Sequence, residues 1–280
     1  MTQHTNTGEV PRVTDATAEW VPTGIDEEVP SAARVYDYLL GGGHNFSADR
    51  VLAEELVKVM PARDMARMNR QYLDRAVRFL VSQGITQFLD LGSGIPTAGN
   101  VHEVAQRLKP GARVVYVDNE AVAVAHSQMI LRDNPDAAAI AADMREPESV
   151  LGHEQVRRLI DFTEPVGLLM VAATQFIADA DDPWTMTRRY QTALAPGSHL
   201  ALSAFTWDND PDAMRAAIDV YANSRDPLHP RTRDQIRRLF GDWPLIEPGL
   251  VYTPEWRPER EADSSEAPRS NLYAGVAVKN

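Results

Sequence analysis

Two rhythms of apolar and polar positions divide this chain. From about residue 85, short apolar runs end in acids or small polar residues, and each is followed by a stretch with helical spacing. The runs read as strands at 87–91, 114–118, 138–142, 166–172 and 199–205. The stretches between them read as helices. One opens at Asn100, with Glu103 three residues on as a variant capping box and Val101, Val104, Ala105 and Leu108 as its buried stripe. Others fit 121–132, 147–160 and 183–194, the last capped by Asp182 with Pro183 in its first turn. Such alternation predicts an open parallel sheet with helical crossovers.

Before residue 85 the rhythm is helical throughout. Ser31 is a plausible cap for a short helix, AARVYDYLL, which stops at Gly41, Gly42 and Gly43. A second helix is expected to be capped by Ser47, with Val51, Leu52, Leu56 and Val59 as its stripe and Pro61 as its end. A third carries Met65, Met68, Tyr72, Ala76 and Leu80 on one face and ends at Gly84. The last third departs from strict alternation. Helices fit 212–223 and 233–240. Two strand-like runs follow, 244–252 (interrupted by Pro248-Gly249) and 272–278, with a charged stretch over 258–269 between them. No helix fits that stretch, so the two runs are expected to pair antiparallel. The expected organisation is a flexible leader over residues 1–29, a helical cap over 30–84 and a cofactor-binding domain over 85–280.

Composition narrows the function classes. The 280 residues carry a net charge of −12, which argues against a duplex nucleic-acid binder working by phosphate neutralisation. There is no cysteine, so disulfides, thiolate metal sites and cysteine nucleophiles are ruled out. The first ten residues, MTQHTNTGEV, are polar, and no apolar run is long enough to cross a bilayer, so a cytoplasmic protein is expected. Asp208, Asp210 and Asp212 alternate as in a calcium loop, but Ala213 stands where the loop needs glycine and Asp219 where it needs glutamate; they read instead as a helix N-terminus. No His/Asp/Glu cluster has metal-ligand spacing, and no metal is expected.

The chemistry concentrates in QFLDLGSGIPTAGN and, beyond it, RVVYVDNE. A strand ends in Asp90-Leu91 and turns through Gly92, Ser93 and Gly94. The next strand ends in Asp118, followed by Asn119. The third ends in Asp143-Met144. Glycines at the carboxyl edge of a sheet let a ligand approach the backbone. A carboxylate at the end of the second strand can accept both hydroxyl protons of a ribose, and one at the third can accept from a purine amine. A pyridine dinucleotide would need a third glycine and a helix end on its pyrophosphate. Here Thr97 occupies that third position, Pro96 lies in the loop and the cap is delayed to Asn100, so the site suits a nucleoside cofactor without phosphate.

On these residues the chain resembles the class I S-adenosylmethionine-dependent methyltransferases. With PSAARVYDYLLGGGHNFSADR, MNRQYLDRAVRFL, QFLDLGSGIPTAGNVHEVAQ and VVYVDNE taken together, it is similar to one bacterial family of S-adenosyl methyltransferases whose substrates are undefined. The resemblance implies an α/β, Rossmann-like, doubly wound seven-stranded sheet with a C-terminal antiparallel strand pair and an N-terminal helical cap. It implies S-adenosyl-L-methionine as cofactor. Gly92, Ser93 and Gly94 would pass under it, Asp118 with Asn119 would face the ribose, and Asp143 and Met144 would flank the adenine. Ala173, at the end of the fourth strand between Ala172 and Thr174-Gln175, would face the sulfonium and the acceptor.

The segment YDYLLGGGHNF, residues 36–46, has the composition of a lid, since aromatic faces can stabilise a sulfonium. Arg70, beside Asn69, could reach the methionine carboxylate of the cofactor. His44 is the candidate base, with Tyr36 and Gln175 as acceptor-positioning groups. His102 reads as a surface histidine on a helix flank. The leading expectation is an enzyme that methylates a small molecule, with no nucleic-acid or membrane partner. The alternatives are an S-adenosylmethionine-binding regulatory module without turnover and, less well supported, a nicotinamide-dependent oxidoreductase.

Overall fold

A computed structural model describes residues 25–96, 99–259 and 267–280. Most of the expected leader, and Thr97 in the glycine loop, lie outside these residues. Seven strands form one sheet: β1 (Gln87–Leu91), β2 (Arg113–Asp118), β3 (Ala137–Ala141), β4 (Gly167–Val171), β5 (His199–Phe205), β6 (Val251–Tyr252) and β7 (Leu272–Val278). Their order is β3-β2-β1-β4-β5-β7-β6. The first four pairings are parallel, and β7 runs antiparallel to both β5 and β6. This is a Rossmann-like α/β sheet with the expected antiparallel end. The chain moves outward from β1 through β2 to β3, then returns to place β4 on the other side of β1. A crevice at the carboxyl ends of β1 and β4 follows from that reversal.

The helices are α1 (Ala32–Leu39), α2 (Ser47–Val59), α3 (Ala62–Ser82), α4 (Val101–Leu108), α5 (Ala121–Ile130), α6 (Pro147–Gly152), α7 (Glu154–Leu159), α8 (Pro183–Ala193), α9 (Pro211–Tyr221) and α10 (Arg233–Leu239). Their starts follow local chemistry. Ser31 Oγ accepts from the Arg34 N–H, Asp182 from Thr185 and Asp210 from Ala213. Glu103 accepts from the N–H of both Gly99 and Asn100. The acids 208–212 thus serve as the N-terminus of α9.

Four expectations of detail need correction. Ser47 is the first residue of α2 rather than its cap; the Phe46 N–H is held by Asp49 at 2.8 Å. Val51 is 61% exposed and Leu108 45% exposed, because each lies at the edge of its helix's apolar stripe; Ala53 and Met60 complete the stripe of α2. The helix expected over 147–160 breaks at His153, whose Nδ1 accepts from the Gln155 N–H and starts a second helix. The run 244–252 is a strand only at its end, with a lone bridge from Leu245 to Ala277 before the cis Glu247-Pro248 bond.

Apolar clusters cover both faces of the sheet. The central strand β1 is buried along its whole length, as a strand covered on two sides must be. The second half of α3 belongs to one of these layers: Tyr72, Leu73, Ala76, Val77 and Leu80 pack on the sheet with Trp256. Burial of each large side chain there stabilises the fold by about 1.5–3 kcal/mol. The first half of α3 joins α1, α2 and α9 in a separate cluster, with Val35, Leu56, Met65, Met214 and Leu272 at its centre. That cluster stands over the carboxyl edge of the sheet.

Candidate active site

One continuous cavity of about 450 Å³ lies between the sheet edge and the helices above it. The turn after β1 forms its floor. Gly92 and Gly94 have φ of 68° and 65°, which glycine adopts without strain. A Cβ on Gly92 would lie 2.6 Å from Ala173 Cβ, so glycine is required where the loops after β1 and β4 touch. A Cβ on Gly94 would meet nothing within 4 Å; it would project into open space beside a cavity-lining backbone. That is the cradle a ligand needs.

Asp118 ends β2 with both oxygens engaged. Its Oδ2 accepts from the Gly94 N–H at 2.7 Å and its Oδ1 from the Glu120 N–H at 2.9 Å. Burial pushes its carboxyl up to about 6, against the lowering effect of those two N–H groups. Asp90 lines the same cavity, is 5% exposed and is pushed up to about 7. Burial is the main cause; Arg70 lowers it and Asp118 raises it. Sequence reasoning noted Asp90 as the acid ending β1 but gave it no role.

Asp143 and Met144, beyond β3, and Asn119, just after β2, also line the cavity. Asp143 accepts from the Arg145 Nε and from the Arg145 backbone N–H, and this pairing holds its carboxyl below the usual range despite partial burial. Ser93, Ala173 and Arg70 also line the cavity, and Arg70 donates to Asn100 Oδ1 at 3.0 Å. All nine expected cofactor positions therefore meet in one space.

The acceptor candidates divide. Tyr36 and Gln175 line the cavity. Tyr36 Oη donates to the Ala66 carbonyl and accepts from Asn69 Nδ2; Asn69 Oδ1 accepts from Ser203 Oγ at 2.6 Å, and Ser203 Oγ accepts from the Ala172 N–H. Burial raises the Tyr36 hydroxyl, keeping it a neutral donor. Ala172 sits at φ 55° at the end of β4, a strained conformation for a residue with a Cβ. The structure does not bring His44 to the cavity: its ring lies tilted against His126 with centroids 3.6 Å apart, and its backbone N–H donates to Asp37 Oδ2. His102 is buried rather than exposed, with Nδ1 2.8 Å from Tyr116 Oη.

Sequence reasoning missed the closure of the site. Arg34 on α1 is buried between Asp49 on α2, at 2.8 Å, and Glu120, at 2.7 Å. Glu120 in turn caps α5 through the Ala123 N–H. Asp226 accepts from the Ala32 N–H, and Arg225 donates to the carbonyl of Asn119. These partners lie far apart in sequence, and no local pattern signals them. Among the described residues, no group of three or more His, Asp or Glu could hold a metal ion. Nor is any helix there long and apolar enough to cross a membrane.

The family model described as S-adenosyl methyltransferase matches residues 18–280. The chain belongs to the S-adenosyl methyltransferase family. It is similar to a protein of known structure from Thermobifida fusca YX, assigned as a methyltransferase, with 41% identity over 94% of this chain and 100% of that one (TM-score 0.88). It is also similar to a DUF574 family protein from Streptomyces avermitilis MA-4680, with 36% identity over 91% and 99% of the two chains (TM-score 0.87). No curated protein matches it. The protein is thus an S-adenosylmethionine-dependent methyltransferase, and the phosphate-free nucleoside site read from the glycine turn agrees with that cofactor.

Proposed function

We propose that this methyltransferase acts on a small organic acceptor bound beneath α1, α2 and α9. The cavity carries this reading: one space of about 450 Å³ is walled at one end by the glycine turn and the sheet-edge acids, and at the other by apolar side chains of those helices. That size suits small molecules. A net charge of −12 favours such an acceptor over nucleic acid.

S-adenosylmethionine supplies a methyl group already activated by a sulfonium. The protein's own residues bind, orient and exclude water. Asp118, oriented by two backbone N–H groups, takes the ribose hydroxyls. Asn119 stands beside it, and Asp143 and Met144 flank the adenine. Gly92, Ser93 and Gly94 run beneath the cofactor, Arg70 pairs with its carboxylate, and Ala173 faces the sulfonium. Asp90 stands where a buried carboxylate offsets a cationic ligand. Tyr36 and Gln175 position the acceptor, and His44, outside the cavity, has no part.

Calorimetric titration with S-adenosylmethionine and S-adenosylhomocysteine, with NAD as control, tests the site. Asp118→Ala should weaken both by about 100-fold, the equivalent of losing two hydrogen bonds to a charged group. Unchanged affinity in a folded variant overturns the ribose assignment.

A further inference from the structure

The turn after β4 is held in a conformation that its residue type disfavours. Ala172 sits at φ 55°, where its Cβ crowds the backbone, so neighbouring groups must hold it there. Its N–H donates to two atoms of Ser203 on β5, the carbonyl oxygen and Oγ, each at 3.0 Å. Its carbonyl accepts from Gln175 Nε2 at 2.8 Å. The next residue, Ala173, closes on the glycine turn, since a Cβ on Gly92 would lie 2.6 Å from Ala173 Cβ. Any relaxation of Ala172 therefore moves a side chain that lines the cofactor end of the cavity.

Ser203 is itself held from the cap side. Its hydroxyl accepts from the Ala172 N–H, and its one hydrogen goes to Asn69 Oδ1 on α3 at 2.6 Å. The Asn69 amide then presents Nδ2 to Tyr36 Oη at 3.1 Å, and the Tyr36 hydrogen goes to the Ala66 carbonyl at 3.1 Å. Each hydrogen in this chain has one place, from a backbone N–H at one end to a backbone carbonyl at the other. Ser203 is 0% and Asn69 3% exposed, so water does not compete for these bonds. A buried network satisfied in this way is rigid and specifies one arrangement. It ends on Tyr36 and, across Ala172, on Gln175, the two side chains placed at the acceptor.

We propose that Asn69 and Ser203 are positioning residues for methyl transfer. They hold Ala172 at its positive φ, and so keep Ala173 at the sulfonium in register with Tyr36 and Gln175 at the acceptor. This rests on the methyl-transfer reading above and deepens it. In-line displacement needs the nucleophile, the methyl carbon and the sulfur aligned within narrow limits, and small misplacements are costly in rate. The two residues act through Ala172 and Tyr36 rather than on the reacting atoms.

The test compares two ligands that differ only at the reacting centre. S-adenosylmethionine carries the methyl group and a positive sulfur; S-adenosylhomocysteine lacks both. Contacts to adenine, ribose and carboxylate cancel in the ratio of their affinities, read by calorimetric titration of the full-length protein. Ser203→Ala and, separately, Asn69→Ala should each weaken S-adenosylmethionine relative to S-adenosylhomocysteine by about fourfold, the worth of one buried methyl group. Adding Ala172→Gly to either should restore the ratio, because glycine adopts φ 55° unaided. Ala173→Gly should lower the ratio too, whereas Asp118→Ala should weaken both ligands and leave it unchanged. A merely structural role would lower thermal stability without moving the ratio. If Ser203→Ala does not fold, Asn69→Ala with its glycine rescue decides. An unchanged ratio in the folded variants beside a lowered one in Ala173→Gly, or no restoration by Ala172→Gly, would overturn the proposal. An unchanged ratio in Ala173→Gly would instead overturn the placement of Ala173 at the sulfonium, and the proposal with it.

Discussion

Cofactor binding should release protons, and most of them should come from Asp90. The carboxyl lies in the cavity beneath the glycine turn, and burial pushes it up to about 7. Near pH 6.5 a group with that value is about three-quarters protonated in the free protein. S-adenosylmethionine brings a cationic sulfonium and ammonium, and S-adenosylhomocysteine the ammonium alone. An opposite charge within about 4–6 Å favours the ionised carboxylate. Asp90 should then lose about 0.8 proton on binding, and Asp118, at about 6, about 0.2 more if ribose hydroxyls donate to it. The ligand's own amine is already almost wholly protonated at that pH and contributes little.

The assay is calorimetric titration near pH 6.5 in two buffers of different ionisation enthalpy. The slope of observed enthalpy against buffer enthalpy counts the protons. Wild type should release about one, and Asp90→Asn about 0.2, since its amide cannot titrate. Raising the pH to about 8 should bring the two proteins together, because Asp90 is then ionised before the ligand arrives. Equal release from wild type and Asp90→Asn near pH 6.5 would refute the reasoning: Asp90 would either already be ionised in the free protein or stay protonated beside the cofactor.

Three further outcomes follow from particular contacts. Gly92→Ala should destabilise the protein by about 1–3 kcal/mol, since the new Cβ meets Ala173 Cβ at 2.6 Å and φ is 68°; Ala173→Gly in the same chain should restore part of the loss in thermal denaturation, and no restoration would place the whole effect in φ. Arg34→Met should cost about 3–5 kcal/mol by leaving Asp49 and Glu120 buried without their cation, read by denaturant unfolding; a loss under about 1 kcal/mol would mean that water reaches the pair. The carboxyls of Asp90 and Asp118 are raised in the folded state. Below about pH 4 both states hold these protons and nothing is gained or lost; between about 4 and 7 the unfolded chain ionises first, so stability falls as pH rises. Asp90→Asn should therefore gain thermal stability relative to wild type across that window, and parallel curves would contradict the assignment.

The sheet was legible because its strands are bounded by residues that cannot continue them. The runs at 87–91, 199–205 and 272–278 match β1, β5 and β7 residue for residue. The glycine turn and its acids were legible for the same reason: they sit at fixed places after apolar runs. What the pattern could not supply is which polar residues turn inward. Arg34, Asp49 and Glu120 look like ordinary helix and turn polarity, yet they are buried because they find one another over up to 86 residues of chain. His102 is buried for a similar reason, through Tyr116 on the neighbouring strand. His44 was chosen for its place in an unusual segment, but the turn after α1 carries it to His126 and away from the cavity. His229, in a stretch without periodicity, lines the cavity because the chain after α9 folds back on the turn that follows β4.

Helix α1 shows why the acceptor end and the cofactor end stand or fall together. Within eight residues it gives Tyr36 to the cavity wall and Arg34 to Glu120. Glu120 caps α5, and its own N–H holds Asp118 Oδ1. The Arg34 guanidinium is thus two contacts from the proposed ribose carboxylate. A second tie enters from the loop after α9: Asp226 holds the Ala32 N–H, and Arg225 reaches the Asn119 carbonyl. Displacing α1 would leave Glu120 as an unpaired buried charge, and the turn that aims Asp118 would have to relax to rehydrate it. Substitutions in the α1–Glu120 contact should therefore weaken the cofactor as well as the acceptor, although of these residues only Asp118 bonds to the glycine turn. If Arg34→Met retained full S-adenosylhomocysteine affinity at a temperature where it remains folded, the two ends of the cavity would be independent, and α1 would serve only as a wall.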